Sequence, residues 1–219
     1  MEIMESMLER ATSIFSPRTK RRLRRPTVTQ ERMNVNTLFV PETIDYDGSQ
    51  IRSLWAYRRC GVEGDSIVAF IGGCDIPAEN IVDVQDLRAG SKIFSRKMLH
   101  FIVEHFDRDL EKAVLRQRLL AAIARDALLG RCPQCALRRK GDDLFIDDAK
   151  LSISVATLTS VSSKIHLGLN IDSKGAPVKA AGLGDLGVDA KEYAHEVLQA
   201  YSEEMAGIYR ARTKVRGVE

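Results

Sequence analysis

Alternating apolar and polar positions predict a pair of strands between residues 151 and 171. The apolar positions are Leu151, Ile153, Val155, Ile165, Leu167, Leu169 and Ile171, and the positions between them are Ser152, Ser154, Ala156, Lys164, His166, Gly168 and Asn170. Because successive side chains of a strand point to opposite faces, the pattern predicts a sheet with one apolar and one polar face. The polar face suits a ligand, since its side chains can orient one and glycine permits close approach; simple contact with water is the alternative.

Other periodic patterns predict the elements around this pair of strands. The predicted strands cover residues 36–46, 66–73 and 98–106. A first helix is predicted to end at Gly61, and a second to run from a cap at Asp107 to about Gly130. A third is predicted to follow a capping box formed by Asp189 and Glu192. Strands before and after a central helix, with a further helix at the end, predict an α+β domain. Its sheet is expected to be mixed or largely antiparallel and to pack against the helices.

Length and composition indicate one globular domain. The chain has 219 residues, of which 44% are hydrophobic, and this is enough to bury a core. It contains no run of about 18 apolar residues, which a membrane-spanning helix would need. Its first residues also lack the apolar segment and cleavage site of a secretory signal. We therefore expect a cytoplasmic protein that does not contact a membrane.

Charge is distributed unevenly along the chain. Of the net charge of +3, residues 1–32 contribute +4 through eight basic and four acidic side chains, so residues 33–219 carry −1. We interpret residues 1–32 as a disordered basic extension and residues 33–219 as a single domain. A nearly neutral domain argues against a protein that mainly coats nucleic acid, although the basic residues 18–25 could bind RNA in a salt-dependent way.

The four cysteines suggest neither a disulfide framework nor a complete metal site. Cys60, Cys74, Cys132 and Cys135 are few and unevenly spaced for a chain of this length, so we expect reduced thiols. Cys132 and Cys135 have the spacing of half a zinc site or of a redox pair. Because zinc needs four ligands and the other two cysteines are isolated, a zinc-stabilised module is the weakest hypothesis.

Residues 141–171 resemble the central part of the biotin and lipoate protein ligases. Those families have an N-D-[IL] strand, then a K-[ILV]-[SA]-G strand, then an H-x-G or G-x-G-[IL]-N strand. The corresponding motifs here are GDDL, then KLS from Lys150 to Ser152, then KIHLGLNI from Lys164 to Ile171. The match is good over about 30 residues and looser from Thr37 to the end. The whole chain also resembles a prokaryotic family of conserved proteins without an assigned function. The resemblance implies a ligase-like α+β fold.

Roles for individual residues follow from that resemblance. Lys150 stands where the ligases keep a lysine beside the phosphate and acyl oxygens of an acyl-adenylate, whose negative charge it stabilises. Asp143 stands at the aspartate of the N-D pair, and Asp142 replaces the asparagine, which would suit a magnesium ion and repel a bare phosphate. The other implied substrate contacts are Ser152, Ser154, His166, Gly168 and Asn170.

One ligase feature is missing upstream. The ligases wrap the nucleotide phosphates in a basic, glycine-rich loop. The corresponding segment here, Leu87 to Lys97, has a single glycine. Its basic residues Arg88, Lys92, Arg96 and Lys97 keep the positive charge without the backbone cradle. ATP and Mg²⁺ are the cofactors that the resemblance implies, and the missing cradle argues against ATP activation of an acid.

These observations leave two main hypotheses about function. The first is an acyl- or carboxylate-handling ligase or transferase that acts through an acyl-adenylate or an acyl-thioester, with a small carboxylic acid as substrate and a carrier protein as acceptor. If a thioester forms without ATP, Cys74 is the best-placed nucleophile because it follows a glycine pair at a strand end. The second hypothesis is a non-catalytic protein that binds a small molecule or RNA on the same face.

Overall fold

The structure is a computed structural model, and it describes residues 35–218. Its strands are β1 (Asn36–Phe39), β2 (Ser66–Asp75), β3 (Phe94–His105), β4 (Leu137–Lys140), β5 (Asp143–Ile146), β6 (Ala149–Lys150), β7 (Ser152–Leu158) and β8 (Ser163–Asp172). Five of them form the main sheet in the order β1-β2-β3-β8-β7, and only the β1–β2 pair is parallel. The small second sheet has the order β4-β5-β6. The basic extension predicted at residues 1–32 lies outside the described residues.

Four α-helices lie among residues 35–218. They are α1 (Trp55–Cys60), α2 (Val84–Ala89), α3 (Leu110–Arg131) and α4 (Ala190–Arg212), and short 3₁₀ turns cover Ser49–Ile51, Ala78–Asn80 and Leu183–Leu186. The α+β class and the mixed, mostly antiparallel sheet are as predicted. None of the helices between residues 35 and 218 is long and apolar enough to cross a membrane.

Helices α3 and α4 cover one face of the main sheet and bury the larger core. Asp189 caps α4 by accepting a hydrogen bond from the Glu192 amide, as predicted. The cap of α3 is Asp109, which accepts from the Lys112 amide, so the prediction of Asp107 was two residues too early. Asp107 instead accepts from the side chains of Lys112 and Arg116, which stabilises the first turns of α3.

The opposite face of the sheet carries a second apolar cluster. It contains Val40, Tyr46, Ile51, Ala56, Val68, Phe70, Cys74, Met98 and Ile102, with Ile153 and Val155 packed against them. The helix-covered face holds Ile165, Leu167 and Leu169. Both faces of the sheet are therefore covered by protein, in contrast to the single apolar face that the sequence predicted.

The register of the β7–β8 hairpin explains this difference. Val155 pairs with His166, and Ser154 pairs with Leu167. Directly paired residues of an antiparallel sheet point to the same face, so Val155 shares the face of His166 while Ser154 shares the helix-covered face of Leu167. The expectation that Ser152 and Ser154 share a polar face with His166 was wrong. A turn of four residues, 159–162, separates the strands and sets this register.

The second sheet begins after a short turn that contains two cysteines. Cys132 and Cys135 form a disulfide, so the expectation of reduced thiols was wrong for this pair. Both sulfur atoms are bonded to each other, which also argues against the zinc module. Cys60 and Cys74 are free thiols, as expected. Asp147 and Asp148 form the turn between β5 and β6, and this hairpin carries Asp143 and Lys150 on neighbouring strands.

Candidate functional site

A cavity of about 370 Å³ lies beside the face of the main sheet that α3 and α4 do not cover. Residues of β2, β3, β7 and β8 line it together with α2, the β5–β6 hairpin and the loop at 176–180. The predicted site residues among its lining are Cys74, Asp142, Asp143, Lys150, Ser152, Ser154, His166 and Asn170. Gly168 is not part of the lining. The structure thus brings together most of the residues that the sequence singled out.

Hydrogen bonds made by the amide and the carbonyl of Lys150 hold the main chain of this residue at the cavity wall. Its amide donates to the Lys179 carbonyl over 2.9 Å, and its own carbonyl accepts from the Ala181 amide over 3.1 Å. The same carbonyl also accepts from the Asn170 side chain over 3.3 Å. The Lys150 side chain is 34% exposed, and its Nζ lies 3.0 Å from Asp143 Oδ2. The main chain of Lys150 is therefore fixed at the cavity wall, and its side chain is partly exposed and paired with Asp143.

Asp143 is the carboxylate that faces this ammonium group. Partial burial raises its pKa above the usual value, and the nearby charges of Asp142 and Asp86 act in the same direction. Lys150 opposes this shift without cancelling it. Asp142 has other partners, since it accepts from Gln117 Nε2 over 2.8 Å and lies 3.5 Å from an Arg118 nitrogen. The two neighbouring aspartates therefore differ in how firmly they are held.

The hydroxyl groups of the two serines are occupied by the protein itself. Ser152 Oγ accepts from the Leu144 amide over 2.8 Å. Ser154 Oγ donates to the His166 carbonyl over 2.8 Å and accepts from Gln117 Nε2 over 3.0 Å. These bonds tie β7 to β5, β8 and α3. The serines line the cavity, but their hydroxyl groups stabilise its wall.

His166 forms part of the cavity floor. Its ring stacks on Tyr46 with centroids 3.8 Å apart, and its Nε2 lies 3.1 Å from His100 Nδ1. Burial lowers the pKa of His166 well below its usual value, and the pKa of His100 is lowered to about 4 for the same reason. Both rings are therefore neutral at physiological pH, and an N–H group of one ring donates a hydrogen bond to the unprotonated nitrogen of the other.

Gly168 and Asn170 support the site from the same strand. A Cβ atom at Gly168 would lie 2.9 Å from Met98 Cε and 3.2 Å from His166 Cε1. The close approach that this glycine permits is therefore made by protein side chains. Asn170 is 9% exposed and uses its amide nitrogen to hold the Lys150 carbonyl. Asn170 thus acts on the position of the lysine backbone.

Cys74 lines the cavity as a protonated thiol. It is 1% exposed, and burial raises its pKa to about 12, with Asp75 adding to the shift. At neutral pH very little of the thiol is therefore present as the thiolate, which is the nucleophilic form. The sequence-based choice of Cys74 as nucleophile is therefore not supported by its surroundings.

Several lining residues come from parts of the chain that the sequence did not connect with the site. Tyr46 forms a wall, Asp86 comes from α2, and Ser95 adds a buried hydroxyl without a hydrogen-bond partner among the described residues. Lys92 belongs to the basic segment that was compared with the nucleotide loop, and it also lines the cavity. Residues 35–218 contain no group of three or more His, Cys, Asp or Glu side chains arranged for a metal ion.

Comparison with protein families assigns the chain to a group. Residues 35–216 match the family described as "Domain of unknown function (DUF366)". The chain belongs to the DUF366 family. An uncharacterized protein of Methanocaldococcus jannaschii is 40% identical over 183 residues, which cover 80% of this chain and 82% of that protein. A solved structure of a protein of unknown function from Pyrococcus horikoshi is also 40% identical, with a TM-score of 0.81 over 85% of this chain and all of the other.

More distant solved structures identify the fold of this DUF366 chain. Apo biotin protein ligase from Aquifex aeolicus has a TM-score of 0.53 and 14% identity, over 81% of this chain and 72% of the ligase. The same ligase in complex with biotin and ATP has a TM-score of 0.51 and 16% identity, over 78% and 70% of the two chains. These likenesses confirm the predicted biotin/lipoate ligase-like fold. At such identities they show the fold alone.

Proposed function

We propose that this protein binds a small amphipathic organic acid, or its acyl derivative, in the cavity and handles the acyl group as a ligase or transferase. The observation that carries this proposal is Lys150, whose main chain is hydrogen-bonded at the cavity wall and whose side chain is 34% exposed. A fixed positive charge in a partly desolvated site stabilises a carboxylate and the negative charge that develops when its carbonyl carbon is attacked.

The rest of the lining suits a ligand with an apolar body. Ile76, Ile93, Met98, Ile153 and Val155 also line the cavity. The cavity volume of about 370 Å³ falls within the range of small-molecule sites. A hydrocarbon chain or ring would contact these side chains while its acid group reaches Lys150.

The cavity lining and the segment after α2 do not offer the glycine-rich phosphate loop with which the ligases bind a nucleotide. The segment after α2 has its single glycine, Gly90, at the carboxyl end of that helix, where the helix dipole is negative. Asp86, Asp142 and Asp143 add negative charge next to Lys150. A phosphate group would therefore meet carboxylates in place of a cradle of amides. The lining of the cavity is therefore unsuited to the phosphates of ATP.

A binding test addresses the proposal directly. Biotin, lipoic acid and straight-chain carboxylic acids would be added to the protein, and its unfolding temperature would be measured. A ligand at 100 times its dissociation constant adds about 2.7 kcal/mol of stability. We expect at least one acid to raise the unfolding temperature of the natural protein and of Lys214→Ala, whose exposed lysine lies after α4. Lys150→Ala is expected to lose the effect, and equal binding by both variants would contradict the proposal.

The second candidate is a non-catalytic protein that binds the same acid. The neutral Cys74 thiol favours it, since this residue is the cysteine at the cavity and carries no ready thiolate. Transfer of a radiolabelled acid to an acceptor, or its release as an activated ester, would be measured with and without ATP and Mg²⁺. Turnover that is lost in Lys150→Ala supports the enzyme, whereas tight binding without turnover supports the binder.

A further inference from the structure

The charges that line the cavity oppose the entry of an anion. Its carboxylates are Asp83, Asp86, Asp142 and Asp143, and its ammonium groups are Lys92 and Lys150, which gives a formal charge of −2. An acid that enters as its carboxylate would make this −3. Lys150 is also already paired with Asp143 at 3.0 Å. A ligand that reaches Lys150 must therefore compete with a carboxylate of the protein.

We propose that Asp143 is a specificity-determining residue that yields Lys150 to the acid and takes up a proton as it does so. This inference rests on the proposed function, because it assumes an anionic ligand at Lys150. When the ligand carboxylate replaces Asp143 beside the ammonium group, protonated Asp143 returns the formal charge of the lining and ligand to −2. The site would then select acids that form a better pair with Lys150 than Asp143 does.

The surroundings of Asp143 identify it as the group that takes up the proton. The charges that face it are Lys150 on β6, Asp142 beside it in the chain and Asp86 on α2. Without Lys150, the remaining neighbours are both negative, and they favour the neutral form of Asp143. Asp142 keeps its own partners on α3, Gln117 and Arg118, when Lys150 changes partner.

Three other titratable side chains that line the cavity, those of His166, Tyr46 and Cys74, are expected to stay neutral during this exchange. Burial lowers the pKa of His166 well below its usual value and raises the pKa of Tyr46 and of Cys74. These shifts favour the neutral forms of the three groups. The already raised pKa of Asp143 is consistent with proton uptake by this residue.

The sign of the pH dependence follows from linkage. A ligand that binds the form with protonated Asp143 binds more tightly where that form is more abundant, which is at lower pH. Affinity should fall as the pH rises above the pKa of Asp143. The fall approaches about tenfold per pH unit when one proton is taken up.

The probe for the experiment is 1-hexanesulfonate, an amphipathic anion whose own charge does not change between pH 5 and pH 8. Isothermal titration calorimetry in buffers of different ionisation enthalpy would give its affinity and the number of protons taken up. For the natural protein we expect tighter binding at pH 5 than at pH 8, with proton uptake. Asp143→Asn should bind the probe about tenfold more tightly at pH 8 and without proton uptake.

Asp142→Asn is the matched control, since it removes a neighbouring charge without freeing Lys150. It should change the affinity less than Asp143→Asn and keep the pH dependence. Equal effects of the two variants would overturn partner exchange in favour of general electrostatics. Binding by the natural protein without pH dependence would also overturn it while leaving the proposed function intact. If Asp143→Asn, with Lys150 free, binds the probe at neither pH, both the inference and the proposed function fail.

Discussion

Two lysine–carboxylate pairs with the same separation occupy different environments in this protein. The Nζ–O distance is 3.0 Å for Lys164 and Glu104 and also for Lys150 and Asp143. The side chains of the first pair are 0% and 2% exposed, whereas those of the second are 34% and 28% exposed. Distance alone therefore does not distinguish a structural pair from one that can bind a ligand.

The difference lies in the partners of the carboxylate. Glu104 Oε1 accepts from the Leu54 amide over 2.9 Å and from Ser162 Oγ over 2.7 Å, while its Oε2 accepts from Lys164. The bond from the Leu54 amide anchors a residue whose φ of +61° lies in the left-handed region that a leucine rarely adopts. Asp143 has no comparable set of donors in the described part of the chain. The buried pair is complete in itself, whereas the pair at the cavity can exchange one partner for another.

The largest expected effect comes from breaking the buried pair. Lys164→Met would leave the Glu104 charge buried without its ammonium partner, and removal of one member of such a pair costs about 3–5 kcal/mol. Urea denaturation followed by circular dichroism would measure the free energy of unfolding. A second substitution, Glu104→Gln, removes the uncompensated charge and keeps an acceptor for Leu54 and Ser162. It should recover a large part of the loss, and a single-variant cost below about 1 kcal/mol would contradict the comparison.

A smaller effect is expected from Gly72, which allows residues 44–46 to pack closely beside β2, where Tyr46 stacks on His166. A Cβ atom at Gly72 would overlap the carbonyl oxygen of Ile44, which is part of the backbone. Gly72→Ala should therefore cost about 1–3 kcal/mol through a shift of the Tyr46 segment. At Gly73 a Cβ atom would meet a side-chain oxygen of Asp45 at 3.2 Å. Gly73→Ala, measured in the same way, should cost less, and equal costs would show that close backbone approach is not the cause.

Much of the fold could be predicted from local sequence, because its strands and helices have clear periodic patterns. The pairing of β7 with β8 could not be predicted in the same way. Ile153 and Val155 lie on the same face of the sheet as His166. The turn between the strands has an even number of residues, so odd-numbered residues of β7 pair with even-numbered residues of β8. The alternation within each strand is correct, but the faces of the two strands are related only by the length of the turn between them. A shift of one residue moves every side chain of a strand to the other face.

Prediction of the site succeeded where its residues are close in sequence. Asp143 and Lys150 meet because a two-residue turn joins their strands, and the family resemblance pointed to both. Tyr46, Asp86 and Lys92 come from loops and short helices whose path depends on tertiary packing, so no local pattern connected them with the cavity. The environment of Cys74 was equally inaccessible, since burial determines the pKa of a thiol and its position after a glycine pair does not.

The smallest effect on stability is expected at the cavity itself, where Lys150→Met makes the same chemical change as Lys164→Met. The pair of Lys150 with Asp143 is about one-third exposed, and pairs of this kind contribute about 0–1 kcal/mol. The variant should therefore unfold at nearly the same urea concentration as the natural protein while losing its ligand. Because Lys150 lowers the pKa of Asp143, this pKa should rise further in the variant. Any loss of stability should therefore appear at pH values above the pKa of Asp143 and diminish as the pH falls. A cost at Lys150 similar to that at Lys164 would show that both pairs are structural, and the assignment of Lys150 to ligand binding would lose its basis.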